Sequence, residues 1–297
     1  MNQTVTQIQR LNTSETQDKP YHWLITTQTG QRIQAKRIID TRPNTRQTST
    51  LYQCFFGFEI IAPMMENQTA QLMHDMHSDA YGFRFNYQLP IGKNHILFEH
   101  TRFSPRPVSQ QQLEQECHQA LQRRYPTLKL IPTTAQKTQT HDAFENGQII
   151  RKEWGCLPMG LTTHSNNKPA YDLGGIHAGA LRSASGYGFR RIQKWANHTA
   201  HQLIEQLSST HGQAKPITYA YQPRWQQTMD HLFLHTLKNN PSRASEFFHK
   251  LATNCNPDGF VRFLNDEAHI RDLTQIIIWL PSWPFIRQCL SLNGISA

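Results

Sequence analysis

The sequence predicts an α+β protein in which strand hairpins come before most of the helices. Strand patterns joined by turn residues fill most of the first 105 positions. A glycine-rich turn then runs into a strongly periodic helix, and the chain beyond Pro223 carries helical patterns. We find no internal repeat, so these parts are expected to form one set of hairpins, a helix, a strand, a turn with its helix, and a helical tail.

The predicted strands are placed by alternation and by turn residues. YHWLITTQTGQRIQAKRIID is typical of a hairpin turning at 28–30, followed by a short apolar piece that ends at Asp40. Residues 52–63 predict another strand, with Gly57 as a candidate bulge. GFRFNYQLP alternates apolar and polar residues, and a turn at 92–94 joins it to HILFEHTRF, which predicts an antiparallel hairpin.

Capping and helical spacing place the helices. Ser109 with Gln112 three residues later predicts a capping box for a helix that runs to about Tyr125. Its apolar stripe is typical of core: Leu113, Cys117, Ala120 and Leu121. The helix after the glycine-rich turn has the strongest period: Ile192, Trp195, Ala196, Thr199, Ala200, Leu203, Ile204 and Leu207. A helix in the tail carries Trp225, Met229, Leu232 and Phe233.

The net charge, the cysteines and the histidines limit which partners, cellular compartment and metal sites the sequence predicts. A formal net charge of +9 favours an anionic partner, and we find no cluster of Lys and Arg interleaved with aromatics, so nucleic acid is not expected. The five cysteines lack close C-x-x-C pairs, which predicts a reducing compartment, no disulfide framework and no zinc site. The histidine pairs His74/His77 and His198/His201 have no third ligand at regular spacing, so no metal is expected.

Glu99 interrupts HILFEHTRF, a strand that is apolar on both faces. One interpretation places the carboxylate on a solvated or edge strand face. The other is a sequestered glutamate whose pKa is raised by burial, so that it holds and delivers a proton near neutral pH. The nearby aromatic residues either stabilise a carbocation through their ring faces or simply form core. The other candidate acids, Asp75, Asp79 and Glu153, lie in more polar neighbourhoods.

The glycine-rich turn DLGGIHAGALRSASGYGF, residues 172–189, precedes a helix. Closely spaced glycines before a helix let backbone amides approach a phosphate or a flavin ring. The spacing is not the G-x-G-x-x-G fingerprint, so an ordinary loop is the alternative.

Taken together, these segments resemble the lycopene cyclase family of the bacterial β-cyclase type. YQCFFGFEI, GFRFNYQLP and HILFEHTRF resemble the run of strands that leads to its catalytic glutamate, which matches Glu99. GCLPMG resembles the family's G-x-x-P segment, and GGIHAGALRSASGYGF resembles its flavin-contacting loop. RWQQTMDHLFLHTL and FVRFLNDEAHIRDLTQII resemble its C-terminal helices, so that the resemblance covers Trp23 to Leu290.

The resemblance implies a flavin-dependent cyclisation without net redox change. In this family a proton adds to the terminal double bond of lycopene, the cation closes into a β-ionone ring, and a proton leaves. Glu99 would handle the proton, with FAD in its reduced form and NADPH as the reductant. The resemblance assigns cofactor contacts to Asp40, Gly175, Gly179, Gly186 and Tyr187. Where relatives carry an acidic residue after the glutamate, this chain has His100.

The implied fold is a truncated flavoprotein-monooxygenase-like FAD domain with an antiparallel substrate-binding sheet and a helical C-terminal region. The expected boundaries are 1–50 for the FAD-domain remnant, 51–150 for the sheet with its helix, 151–215 for the returning glycine-rich turn and helix, and 216–297 for the helical region. The family's first strand, G-x-G-x-x-G turn and helix have no counterpart in this sequence. A separate N-terminal nucleotide-binding segment is therefore an expected partner.

Lycopene is a hydrocarbon extracted from a bilayer, so the resemblance implies a cytoplasmic protein on the inner membrane surface. IIIWLPSWPFI, residues 276–286, predicts either an interfacial anchor or a core helix end followed by a loop. Two other functions stay open: a non-catalytic carotenoid- or lipid-binding protein that no longer holds FAD, and a flavin-dependent oxidoreductase acting on another polyprenoid.

Overall fold

The computed structural model describes ten parts of the chain: 3–11, 22–42, 49–66, 68–131, 146–160, 171–208, 217, 219, 223–280 and 282–292. The chain forms two compact units. The first, here called the small unit, comprises 1–47, 164–181 and 187–223. The second, here called the sheet unit, comprises 48–163, 182–186 and 224–297.

The small unit begins with an antiparallel sheet of three strands: β1 (Val5–Arg10), β2 (Trp23–Thr27) and β3 (Arg32–Ala35). The hairpin predicted to turn at 28–30 is confirmed as β2 and β3. β1 was not predicted, because its residues are almost all exposed and therefore lack the apolar alternation that marks a half-buried strand.

The rest of the small unit brings distant parts of the chain together. β4 (Ile39–Asp40) pairs in parallel with β11 (Asp172–Leu173), which leads into a 3₁₀ turn at Gly175–Ala178. The predicted periodic helix is confirmed as α2 (Phe189–Ser208).

The sheet unit contains six strands, paired in the order β6-β7-β8-β5-β10-β9. Their bounds are β5 (Leu51–Ile61), β6 (Gln71–Asp79), β7 (Gly82–Gly92), β8 (His95–Ser104), β9 (Lys129–Ile131) and β10 (Asn146–Met159). All neighbours pair antiparallel except β9 and β10, which are parallel. The predicted β7–β8 hairpin is confirmed, and the α+β class with an antiparallel sheet is confirmed with it.

The structure differs from the strand prediction at Gly57 and at residues 151–159. Gly57 is not a bulge, because the register of β5 runs past it without a shift against both β8 and β10. Residues 151–159, expected to begin the returning segment, instead continue β10 along the whole length of β5. Most of the polar connection predicted at 131–148 lies outside the described residues.

The helix α1 (Gln110–Arg124) covers one face of the sheet. Its predicted stripe is confirmed, with Leu113, Cys117, Ala120 and Leu121 packed on a sheet core of Cys54, Phe56, Phe58, Ile60, Ile96 and Phe98. The Ser109 hydroxyl accepts the Gln112 N–H at 3.3 Å, as a cap requires. The returning half of the capping box is wrong, since the Gln112 amide donates to Glu116 at 3.0 Å instead.

The other sheet face is covered at one end by the C-terminal helices. These are α3 (Arg224–Asn239), α4 (Ala244–Asn254), α5 (Pro257–Leu264), α6 (Ile270–Trp279) and α7 (Ser282–Leu292). Leu234, Leu237 and Phe247 join Phe83, Phe85 and Phe103 in the core there. The helical tail is thus confirmed, and none of the helices within the described ranges is long and apolar enough to cross a bilayer.

One disulfide is present that the cysteine spacing did not predict. Cys54 and Cys156 form one between β5 and β10, with their Cα atoms 4.0 Å apart. The two residues are 102 positions apart in the sequence, and only the antiparallel register makes them direct neighbours. Local cysteine spacing carries no information about such a pair.

The packing of α1 on the sheet gives a stability prediction. Phe56→Ala removes a fully buried ring from the core and should lower the free energy of unfolding by about 3–5 kcal/mol. Tyr81→Ala is the control, since this ring is 66% exposed and its loss should cost less than about 0.5 kcal/mol. Urea unfolding of both variants measures the difference, and equal losses would contradict the packing described here.

Candidate functional site

Glu99 lies in the middle of the six-stranded sheet. It pairs with Gly57 of β5 on one side and with Tyr87 of β7 on the other. β8 is therefore an interior strand, and the interpretation of Glu99 as an edge-strand carboxylate is wrong. The Thr101 hydroxyl donates to Glu99 Oε1 at 2.8 Å and fixes the side chain.

The surroundings of Glu99 favour its protonated form. Burial is the main cause and raises its pKa to about 7, because a carboxylate loses hydration inside the sheet face. The hydrogen bond from Thr101 opposes this, and the negative charge of Glu153 adds to it. At neutral pH a substantial fraction of Glu99 carries a proton, which matches the interpretation of a sequestered acid.

The aromatic residues around Glu99 divide by sheet face. Phe98 is fully buried in the core under α1, and Phe103 and Phe85 are buried under α3 and α4, so these rings are core. Tyr87 and Phe55 point to the same face as Glu99 and are only partly buried. Two partly buried aromatic residues therefore share the sheet face of Glu99.

Glu153 lies beside Glu99, which its polar local sequence does not indicate. It pairs with Gly57 from the β10 side and points to the same sheet face as Glu99. Arg151 Nη1 donates to Glu153 Oε2 at 2.6 Å, and Arg151 Nε donates to Glu59 Oε2 at 2.5 Å. The local sequence is polar, and only the strand register reveals that this carboxylate lies beside the candidate acid.

His100 points to the opposite face, toward α1. Its Nε2 donates to Glu116 Oε2 at 3.1 Å, and its Nδ1 lies 2.7 Å from Asn86 Oδ1. The buried Arg102 joins the same cluster, binding Asp79 through two hydrogen bonds and Glu116 through others at about 3 Å. Burial raises the pKa of Glu116, but the hydrogen bonds from His100 and Gln112 and the charge of Arg102 outweigh it and hold that pKa at about 2.

Within the small unit, the pairing of β4 with β11 places Asp40 directly before the turn that carries Gly175 and Gly179, which are three of the residues expected to contact the cofactor. Asp40 pairs with Leu173, and its carbonyl accepts the N–H of Gly174 at 2.9 Å, directly before the turn that contains Gly175 and Gly179. Both of these glycines have positive φ, at 60° and 85°. The Asp40 carboxylate is buried and accepts hydrogen bonds from Arg42. Tyr187 of the same unit is half exposed.

Gly186 belongs to the sheet unit, where it approaches the sheet face at Gln53 of β5. A Cβ at this glycine would lie 2.3 Å from Gln53 Oε1, so a larger residue cannot occupy the turn without displacement. Within the described residues Gln53 Oε1 is buried and has no hydrogen-bond partner. Gln53 faces the same side of β5 as Gly57, and an N–H donor bound there would satisfy this acceptor.

The histidine pairs take part in ring contacts. The His74 ring meets Phe98 at 5.9 Å between centroids, and the His198 ring meets Tyr219 at 5.3 Å. Across the part of the chain that the structure describes, no three His, Cys, Asp or Glu side chains are grouped as metal ligands.

Comparison with known proteins gives one match over nearly the whole chain. Residues 3–290 match the family described as lycopene cyclase protein. No curated protein matches the chain at a significant level.

Solved structures resemble the chain only distantly. A geranylgeranyl bacteriochlorophyll reductase-like protein from Thermoplasma acidophilum has 13% identity and a TM-score of 0.45 over 91% of this chain and 65% of that one. The Diels-Alderase PyrE3 of pyrroindomycin biosynthesis has 13% identity and a TM-score of 0.43 over 99% and 56%. The peptidyl tryptophan dihydroxylase QhpG has 11% identity and a TM-score of 0.41 over 97% and 54%. The chain thus spans between 54% and 65% of the length of these proteins.

The raised pKa of Glu99 predicts a pH-dependent stability that one substitution removes. In the unfolded chain Glu99 ionises near pH 4.5, whereas in the folded protein it ionises near pH 7. Between these values the unfolded state loses its proton first, so the wild-type protein becomes less stable as pH rises. Glu99→Gln should escape this loss, gaining about 2–3 kcal/mol relative to wild type between about pH 4 and about pH 8. Urea unfolding across this range measures it, and a difference that does not change with pH would contradict the raised pKa.

Proposed function

The chain belongs to the lycopene cyclase family, and on that premise we propose that it closes the linear ψ ends of lycopene into β-ionone rings. The observation that carries this proposal is Glu99, a buried carboxyl group with a pKa raised to about 7, on a sheet face that also presents Tyr87 and Phe55. The reaction is a net isomerisation, since one proton enters and one leaves for each ring.

Glu99 acts as the proton donor. Its carboxyl proton forms the new C–H bond at the terminal double bond, and the resulting carbocation closes on the neighbouring alkene to form the ring C–C bond. The Glu99 carboxylate then takes up a proton from the ring, which restores a double bond in the ring and the acid form of Glu99. A pKa of about 7 suits this role, because an acid must be protonated at working pH and still release its proton readily.

The neighbours of Glu99 support the same step. Thr101 holds Oε1 and so fixes the orientation of the carboxyl group toward a substrate. The ring faces of Tyr87 and Phe55 attract positive charge through their quadrupoles, and so would stabilise the carbocation. Burial of Glu99 limits water at its carboxyl group, and water would otherwise capture the cation as an alcohol.

The cofactor that we propose is FAD, reduced by NADPH. Reduced flavin supplies electron density that stabilises a nearby cation. In the small unit, Asp40, Gly175 and Gly179 would contact it, because a Cβ at Gly179 would meet no atom within 4 Å and the backbone there is open to close approach.

We further propose that α6 and α7 dock on an anionic lipid surface. Their exposed apolar side chains are each 47% to 80% accessible: Ile270, Ile277, Ile278, Trp279, Trp283 and Ile286. The exposed charges on these two helices are the cations Arg271 and Arg287, whereas Asp272 is buried against Arg262. Exposed tryptophans and isoleucines with flanking arginines are typical of interfacial helices. A long hydrocarbon substrate would be taken up from the same surface.

Expression in cells that accumulate lycopene tests the proposed reaction. The wild-type chain, alone and together with a separately supplied strand–G-x-G-x-x-G–helix segment, should convert lycopene to γ-carotene or β-carotene. Glu99→Gln cannot donate a proton and should reduce cyclic products by at least about 100-fold, in line with the usual contribution of a general acid. Chromatography of the extracted pigments gives the result.

Glu114→Gln is the matched control, because it removes a carboxylate from α1 on the other side of the sheet and should leave cyclisation unchanged. If folded wild-type protein leaves lycopene unchanged in both settings, the cyclase proposal is overturned. Lycopene that then copurifies with the protein would favour the carotenoid-binding alternative.

Binding to vesicles tests the lipid-facing helices. Ile278→Ser combined with Trp283→Ser should reduce sedimentation with phosphatidylglycerol vesicles by about tenfold or more, since two large apolar side chains no longer insert. Leu72→Ser is the control, because Leu72 is 67% exposed and lies on β6 of the same unit. Point substitutions are preferable to a truncation, which would also remove the buried Ile276. Unchanged sedimentation of the double variant would exclude this surface as the anchor.

A further inference from the structure

Two carboxylates flank one glycine on the same sheet face. Glu99 of β8 and Glu153 of β10 both pair with Gly57 of β5, from its two sides. Directly paired residues of neighbouring strands point to the same face, so both carboxylates and the glycine share it. The two Cα atoms are separated by two strand spacings, which is about 10 Å.

Gly57 leaves a gap that the Glu153 side chain uses. A Cβ at this position would lie 3.2 Å from Glu153 Cγ, 3.5 Å from Glu153 Oε1 and 3.1 Å from Leu97 Cδ1. The Glu153 side chain therefore lies against the bare backbone of β5, in the space between its own strand and Glu99. The register is unbroken at Gly57, so no bulge explains a glycine inside a strand, where it is normally unfavourable. Close approach of the Glu153 side chain explains it.

We propose that Glu153 is a positioning residue for Glu99, and that its negative charge, acting across the gap over Gly57, keeps the reactive proton on Glu99 until a substrate takes it. This inference rests on the proposed role of Glu99 as the proton donor. Arg151 orients Glu153 by its hydrogen bond to Oε2 and is itself shared with Glu59.

The other charged and titratable groups on this face do not replace Glu153. Those on the strands are Tyr87, Glu59, His95 and Arg151. The Glu59 carboxylate is engaged by Arg151 and by His95 Nε2 at 2.8 Å. The helices packed at the far end of this face carry Arg224, Asp230, His231, His235, Lys238, Glu246, His249 and Lys250. Among all these groups, Glu153 is the one whose charge acts on the Glu99 carboxyl and raises its pKa.

The shift that the Glu153 charge causes in the titration of Glu99 is large enough to measure. Two like charges about 10 Å apart in a medium of intermediate polarity change each other's titration by about one pH unit. Removing the Glu153 charge should therefore let Glu99 lose its proton about one pH unit lower. Glu153→Asp keeps the charge and should retain most of the effect, whereas Gly57→Ala fills the gap and should weaken it.

A double-mutant cycle tests the coupling without any need for activity. Unfolding of wild type, Glu99→Gln, Glu153→Gln and the double variant is followed from about pH 4 to about pH 9. The pH midpoint of the stability change caused by Glu99→Gln should fall by about one unit in the Glu153→Gln background. Glu114→Gln, the same substitution on the other side of the sheet, should leave the midpoint in place. An unchanged midpoint in the Glu153→Gln background would overturn the inference.

Activity provides a second, separable readout. Where the wild-type protein cyclises lycopene, the pH above which the rate declines should move down by the same amount in Glu153→Gln and return toward wild type in Glu153→Asp. If wild type forms no cyclic product, the proposed reaction fails while the stability cycle still decides the coupling. If wild type is active and its pH profile does not move in Glu153→Gln, the positioning role is overturned.

Discussion

Burial of a carboxyl group on an interior strand is the constraint on which the site depends. β8 has a hydrogen-bonded neighbour on each side, so Glu99 cannot turn to solvent at a sheet edge. Among the described residues its hydrogen bond comes from Thr101, which does not offset the lost hydration of an anion. The carboxyl group therefore keeps its proton to higher pH. The raised pKa that records the free-energy cost of ionising Glu99 in the folded protein is also what makes it a useful acid near neutral pH.

In the part of the chain that the structure describes, the charged side chains on the opposite face of β8, unlike Glu99, have hydrogen-bonded partners of opposite charge. His100, one residue after Glu99, and Arg102, three residues after it, point toward α1 and meet Glu116 and Asp79 in a paired cluster. A buried arginine with two carboxylate partners fixes the helix on the sheet, because removal of any one member would leave another charge buried and unpaired. Alternation along one strand thus separates a satisfied polar cluster, which specifies packing, from an incompletely satisfied acid, which is available for chemistry.

The sequence predicts the helices and strands that follow from local residue patterns. The contacts between side chains on paired strands depend on strand register, which only the structure shows. The β7–β8 hairpin, the α1 stripe and α2 follow from alternation, turns and helical period, and all are confirmed. Glu99 could be singled out because a carboxylate interrupts an apolar strand. The neighbourhood of Glu153 could not, because it is created by β10 pairing with a strand about a hundred residues earlier. The Cys54–Cys156 disulfide was missed for the same reason. The bulge predicted at Gly57 was wrong, because this glycine makes room for the Glu153 side chain of β10.

The central claim is that Glu99 is protonated near neutral pH in the folded protein, and its titration can be observed directly. Carbon-13 NMR of the glutamate side-chain carboxyls, with Glu99→Gln to assign the signal, follows the ionisation of this one group. The account predicts a midpoint at about pH 7 for Glu99. A midpoint near the ordinary value of 4.5 would show a solvated carboxylate and would contradict the account.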